Sequence, residues 1–375
     1  MTTPAATRLS AMTKLDSLQG LRGIAASLVV AFHAVNSLKN AGWIPEYTSG
    51  FAIRGMAGVD IFFVISGFVM VLTTANRPRG IDAARKFMLA RLTRIAPMYW
   101  LLTTFMVMLL LFVPSVFSTE KFSLARTITS YLFLPYEVKE AGHAYPVLYV
   151  GWTLTYEMFF YVVFAISLCF AERLMRYCIV AFFVMLGLGS ITAQANAFYW
   201  RFMTNPMMLE FVFGCIIGWM YTQRMKVPIA VSACMAVAGI LGFFISPITP
   251  EMEHRFIFAG VPSALLVAGF VFWESANGWI PKLVLLPVGN ASYSIYLTHT
   301  LTVPMIAHGL GHFDKSRALQ GDIACVLLVM ASIFVGYLAY LTMERPLNEA
   351  MRAFMKRTKN GTLQPETRVT PLVER

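Results

Sequence analysis

Stretches without Asp, Glu, Lys or Arg recur along this chain, at 23–38, 61–76, 95–119, 158–171, 177–200, 211–223, 227–250, 256–273, 283–313 and 323–343. An α-helix needs about 20 apolar residues to cross the hydrocarbon core of a bilayer, where the backbone must satisfy its own hydrogen bonds. Several of these runs reach that length. The shorter ones, such as 158–171 and 211–223, span only by taking in a neighbouring charge, which makes Glu157 and Glu210 intramembrane carboxylates. Composition agrees: the chain is 58% hydrophobic and 13% charged, with a mean hydropathy of +0.65. The pattern predicts an all-α integral membrane protein of about ten transmembrane helices, near 19–38, 56–75, 95–115, 150–171, 174–193, 205–222, 226–246, 256–274, 287–308 and 322–343. No internal repeat is found. We read a cytoplasmic N-terminal tail over 1–18, one polytopic membrane domain over 19–343, and a basic, partly disordered cytoplasmic tail over 344–375.

Orientation follows from the basic residues. With both termini cytoplasmic, the inner segments hold 21 of the 30 Lys and Arg residues, as the positive-inside rule requires. The net charge of +11 therefore reads as membrane orientation and attraction to anionic lipid or ligands, with no nucleic-acid motif beside it. The N-terminus has the outline of a signal peptide, but its polar lead is long, and His33 and Asn36 are ill-suited to a cleavage region. Cys169, Cys178, Cys215, Cys234 and Cys325 all fall in apolar runs without CxxC or CxxH spacing, so they read as packing residues, with neither disulfides nor a metal expected. The longest outer loop, 116–149, contains Thr127–Pro135, which reads as an interfacial or re-entrant helix.

The first span carries an unusual pair. Arg22 and His33 are eleven residues apart, about three helical turns, and so share a face. An ionisable residue in such a span is costly and marks a functional site by default. Arg22 falls at the cytoplasmic rim and His33 about 16 Å deeper, a layout that holds a polyanion at one end and does chemistry at the other. The inner loop from Arg77 to Arg94 reads first as topogenic charge. Arg91 and Arg94 nevertheless face one way as their helix enters the membrane, and guanidinium forks suit bidentate phosphate binding.

Counting depth along each helix puts His33 about 20 Å above the inner side, His299 about 18 Å, and Glu157 near 20 Å, with Asp60 and Glu210 somewhat nearer the outer surface. Two imidazoles and up to three carboxylates in one layer is the composition of a buried acid/base site. The bland readings are interhelical hydrogen bonding for His33 and His299, and a helix-terminus contact for Asp60. Glu157 is harder to explain that way, because an unpaired buried carboxylate needs a proton or a partner. His143, His254, His308 and His312 fall in or beside outer loops. No GxSxG, HExxH or P-loop motif occurs.

These residues resemble the acyltransferase 3 family of bacterial membrane acyltransferases. The resemblance rests on Leu18-Gln-Gly-Leu-Arg22-Gly-Ile-Ala-Ala with His33, Gly58-Val-Asp-Ile-Phe-Phe-Val-Ile-Ser-Gly-Phe68, Arg91-Leu-Thr-Arg-Ile-Ala-Pro-Met-Tyr-Trp100, Gly151-Trp-Thr-Leu-Thr-Tyr-Glu-Met-Phe-Phe-Tyr161, Ala291-Ser-Tyr-Ser-Ile-Tyr-Leu-Thr-His299 and Glu344-Arg-Pro346. Two of these stretches, from Gly58 and from Gly151, look most like the exopolysaccharide-modifying (ExoZ-like) branch. The resemblance implies an O-acetyltransferase of the bacterial inner membrane that takes acetyl, or another short acyl group, from cytoplasmic acetyl-CoA to a carbohydrate hydroxyl. The family's arginine–histidine pattern falls on Arg22 and His33, and its basic motif on Arg91 and Arg94. Ala96 before Pro97 departs from the usual bulkier residue. Many relatives carry a fused extracytoplasmic hydrolase-like domain. None is read here, so delivery is expected to be direct or through a separate polysaccharide-assembly protein.

Acyl transfer from a thioester needs a base for the attacking hydroxyl, or a nucleophile that carries the acyl group, together with stabilisation of the oxyanion. His33 suits either role, oriented by Glu157 or Asp60, with Arg22, Arg91 and Arg94 on the donor's phosphates. A lipid-linked or polymeric carbohydrate would approach from the outer face, where Trp152, Tyr156, Tyr293 and Tyr296 are candidate stacking residues. The competing class is a proton-coupled transporter or flippase of a polysaccharide precursor, against which stands the lack of an inverted repeat. A third reading is a non-catalytic subunit of a polysaccharide assembly complex.

Overall fold

The computed structural model describes residues 15–43, 46–113, 121–138, 143–170, 198–246, 254–276, 278–280, 282–314 and 319–361, with the single positions 186, 189 and 191. It is an all-helical bundle. The long helices are α1 (Asp16–Asn40), α3 (Ala57–Thr74, entered from the short α2, Glu46–Ala52, through a 3₁₀ turn) and α4 (Ile81–Phe112). After the short α5 (Leu124–Tyr131) come α6 (Gly151–Leu168), α7 (Phe198–Met203), α8 (Met208–Thr222) and α9 (Ile229–Ile245). The chain closes with α10 (Val261–Ser275), α11 (Lys282–Asn290), α12 (Ser292–Phe313), α13 (Gly321–Ala339) and α14 (Arg345–Gly361). Between α5 and α6 a two-residue pairing sets Glu137 opposite Ala144 and Val138 opposite His143.

Among the described residues, seven helices are long and apolar enough to cross a membrane, and α9 is apolar but shorter. The run expected at 174–193 lies almost wholly outside the described residues. Beyond Ala339 the helix continues through a π-type turn at Tyr340–Glu344 into α14, so the start of the basic tail is helical to Gly361. Apolar side chains also cover the outside. On α13, Val326, Met330 and Phe334 are more than half exposed, a face that makes sense against lipid tails.

The first helix is central, in contact with α3, α11, α12 and α13. Glycines permit this closeness. A Cβ on Gly23 would stand 2.9 Å from the Gly289 backbone nitrogen, and one on Gly67 only 1.8 Å from the Phe211 carbonyl oxygen. Small residues at such crossings let backbones approach where no hydrophobic force drives helices together. The open end of α1 is closed from afar: the backbone N–H groups of Asp16 and Ser17 donate to the Glu274 carboxylate at 3.0 and 2.8 Å. Asp16 also pairs with Lys282 at 2.7 Å, and that hydrogen bond and charge raise the affinity of the exposed ammonium for its proton.

Candidate active site

The charged residues of the spans separate into three groups. The first surrounds a partly open cavity between α1, α3, α4, α6 and α12. Arg22, Arg91, Arg94, Ser66, Glu157 and Tyr161 form its polar walls, and Phe62, Tyr293 and Tyr296 much of the rest. Arg91 is buried. Its guanidinium donates to Thr73 Oγ1 at 2.8 Å and stacks over the rings of Phe87 and Tyr161 at 5.2 and 5.6 Å. Arg94, three residues on, is exposed, and Arg22 is half-buried within electrostatic reach of Arg94, Glu344 and Glu157. The spacing of Arg91 and Arg94 thus brings both to one cavity with Arg22, as their shared helical face requires.

Glu157 belongs to this cavity. It accepts a hydrogen bond from Ser66 Oγ at 2.6 Å and another from the Tyr161 hydroxyl one turn along its own helix. Three guanidinium groups against one lining carboxylate leave the cavity net positive, with planar forks suited to phosphate oxygens. Behind it, Glu344 projects from the π-type turn and accepts from the backbone N–H and hydroxyl of Ser294 at 3.1 and 2.5 Å. Such turns redirect a side chain that a regular helix would leave elsewhere.

The second group is the pair of imidazoles. His33 and His299 face each other with ring centroids 4.9 Å apart, and His299 is fully buried. Tyr296, which lines the cavity, has its ring centroid 5.6 Å from that of His299, so one side chain separates the cavity wall from the imidazole pair. No carboxylate hydrogen-bonds to His33 among the described residues; its ring neighbours are His299, Phe32 and Tyr149.

Asp60 lies in the third group. Arg255 donates to both of its carboxylate oxygens, at 3.0 and 2.7 Å, and to the Met56 carbonyl at 2.9 Å. Glu210 is completely buried beside them. This cluster ties α3, α8 and the turn before α10 together, and among the described residues no hydrogen bond joins it to the imidazoles or to the cavity arginines.

The single layer expected from depth counting is thus divided, and the reason lies at the start of α6. That helix begins inside the protein, where Val150 and Gly151 are buried. Thr153 Oγ1 is 2.9 Å from the Tyr296 hydroxyl, which also donates to the Val150 carbonyl, and Tyr149 lies against His33. The first turn of α6 is therefore already level with the imidazoles, and Glu157 falls further in, among the arginines. Of the aromatic residues expected to meet an acceptor, Tyr296 and Tyr156 are buried, and Tyr293 donates to the Ile95 carbonyl at 2.7 Å. Ser66, Tyr161 and Thr73 escaped the sequence reading because uncharged polar residues in an apolar run carry no distinguishing signal. Among the described residues no three His, Cys, Asp or Glu side chains group as metal ligands.

A positively charged cavity inside a helical bundle, one side chain away from paired imidazoles, has the parts of a membrane-embedded group-transfer enzyme. Residues 15–342 match the acyltransferase-domain model, and the chain belongs to the acyltransferase 3 family. It is 35% identical to the exopolysaccharide production protein ExoZ of Rhizobium meliloti, across 80% of this chain and 91% of that protein. It is 27% identical to the putative membrane-bound transacylase BcsY of Komagataeibacter xylinus, across 88% and 81% of the two chains. The O-acetyltransferase OatA of Staphylococcus aureus is 23% identical, with 89% of this chain matched to 57% of OatA. No solved structure matches. The protein is therefore a multi-pass membrane acyltransferase acting on groups other than amino-acyl groups, which decides for an enzyme over a carrier.

Proposed function

We propose that this enzyme transfers an acetyl or other short acyl group from cytoplasmic acyl-CoA to a hydroxyl of a cell-surface carbohydrate, such as an exopolysaccharide repeat unit or an O-antigen. The observation that carries the reading is the cavity in which Arg22, Arg91 and Arg94 converge and whose wall residue Tyr296 packs against His299, the neighbour of His33. The names of the matched relatives, one for exopolysaccharide production and one for O-acetyl transfer, point the same way. The membrane domain is taken as 19–343, with about ten spans in the bacterial inner membrane and both termini cytoplasmic.

In this reading the three arginines hold the donor's phosphates and Glu157, held by Ser66 and Tyr161, offsets part of the repulsion among the guanidinium groups. The pantetheine arm runs along the cavity towards His33. His33 removes the proton of the acceptor hydroxyl as its oxygen attacks the thioester carbonyl, and the thiolate departs and is protonated. Acyl transfer to His33 first, and then to the acceptor, uses the same geometry. His299 orients His33 and shields it from water. Asp60, paired with Arg255, holds the helices that carry the site.

Purified protein in detergent, given labelled acetyl-CoA and a carbohydrate acceptor, tests the reading. Ester formation in the wild type and none in His33→Ala, with that variant still folded and membrane-bound, is the expected result. No thioester turnover and no donor binding by the wild type would overturn it.

A further inference from the structure

Irregular backbone reaches the depth of His33 between the two-residue pairing and α6. At such depth non-helical backbone is tolerated only where protein satisfies it or where it lines a cavity. Both conditions leave marks here. Arg126 of α5, itself buried, donates to the Tyr145 and Pro146 carbonyls at 2.9 and 3.0 Å. Ser130, one turn on, accepts from the Val147 N–H at 2.9 Å. Gly151 ends the segment where a Cβ would stand 2.7 Å from the Tyr99 hydroxyl. The segment is clamped, and what it presents is aromatic.

Tyr145 and Tyr149 pack with ring centroids 4.5 Å apart and planes tilted by 39°, and Tyr149 meets the His33 ring edge-on at 6.2 Å. Tyr149 remains 43% exposed, whereas its neighbours Pro146, Val147, Leu148 and Val150 are buried. A half-open aromatic face, held rigidly beside the candidate base, has a specific use. Pyranose rings carry an apolar C–H face that packs on aromatic rings, while their hydroxyls point outward to hydrogen-bonding groups. The phenol hydroxyls supply such groups at the rim of the same face.

We propose that Tyr145 and Tyr149 form the acceptor subsite, on which one pyranose residue packs so that its reacting hydroxyl is directed at His33. This assignment rests on the reading of the enzyme as a carbohydrate acyltransferase. It moves the sugar platform away from Tyr293 and Tyr296, which face the donor cavity, to the other side of the imidazole pair.

The test is two-substrate kinetics with acetyl-CoA and a panel of p-nitrophenyl glycosides: glucoside, galactoside and N-acetylglucosaminide. Tyr149→Ala is expected to raise the acceptor KM about tenfold while the donor KM moves less than about twofold. Tyr149→Trp, which keeps an aromatic face, should hold the acceptor KM within about threefold of the wild type. An unchanged acceptor KM in Tyr149→Ala overturns the subsite. So does a parallel loss in both KM values, which marks a structural role. If the wild type turns over the thioester but acylates none of these glycosides nor a polymeric carbohydrate, the carbohydrate reading itself fails and takes the subsite with it.

Discussion

Replacing Arg91 by lysine separates the charge of this residue from the shape of its guanidinium. Arg91 stands over Phe87 and Tyr161 and gives Thr73 one of its N–H groups, which leaves other N–H groups of the planar fork for a ligand. Lysine keeps the charge and loses the fork and the stacking. Thr73 is not orphaned by the change, because its hydroxyl also donates to the Val69 carbonyl at 2.7 Å. The structural cost is therefore small, and the loss should appear in donor binding. One charge-assisted hydrogen bond to a phosphate oxygen contributes about 1.5–3 kcal/mol, so the KM for acetyl-CoA should rise about 10- to 150-fold. The control is acetyl-pantetheine, which has the same thioester and arm but no nucleotide phosphates. With that donor, wild type and Arg91→Lys should differ by less than about threefold. Steady-state assays in detergent with both donors give the four numbers needed. Equal losses with the two donors would refute phosphate recognition by Arg91.

Three further outcomes are expected. Asp60→Asn should destabilise the folded protein by about 3–5 kcal/mol, because it removes the carboxylate that both Arg255 nitrogens engage and leaves only Glu210 beside the buried guanidinium; chemical denaturation in micelles reads it. Gly67→Ala should unfold the protein or leave it unstable, since the new methyl meets the Phe211 carbonyl backbone at 1.8 Å and overpacking there costs at least about 1–3 kcal/mol; a thermal midpoint equal to the wild type would contradict the crossing. His299→Ala should lower kcat about 10²-fold with the donor KM little changed, whereas a KM effect alone would remove His299 from the orientation of His33.

What the sequence made legible follows from where charge is expensive. Arg22, His33 and Arg94 stand out because each lies in or borders an apolar run, and helical spacing then joins His33 to Arg22 and Arg91 to Arg94 on shared faces. The positions of Glu157 and Asp60 were less legible. Their depth was counted from helix ends assumed to lie at the membrane surface, and α6 begins inside the protein. The Asp60–Arg255 pair joins residues far apart in sequence, and nothing local marks either as the other's partner. The Tyr145–Val150 segment has no periodicity. Its course is decided by Arg126 and Ser130, and nothing local in the sequence marks either for that role.

The separation of Arg22 and His33 on one helix makes a prediction about the donor itself. Both residues ride on α1, which α3, α11, α12 and α13 hold from its sides, so their spacing of about 16 Å cannot adjust to a ligand. A donor anchored by its phosphates at Arg22 must therefore bring its own length to reach His33, and the pantetheine arm acts as a ruler. An analogue that keeps the nucleotide and its phosphates but carries the acetyl thioester on a shortened arm should still occupy the arginine cavity. It should inhibit competitively with a Ki within about threefold of the acetyl-CoA Kd, because the anchoring contacts are intact. Its thioester should stop short of His33, and its turnover should fall by about 10²-fold or more, as misplacement of a reacting group by ångströms does. Anchoring and reaction would then respond separately to one chemical change. Turnover of the shortened donor at the acetyl-CoA rate would mean that the phosphates are not held at Arg22 during transfer, or that the acyl group is taken up at a residue nearer the arginines than His33.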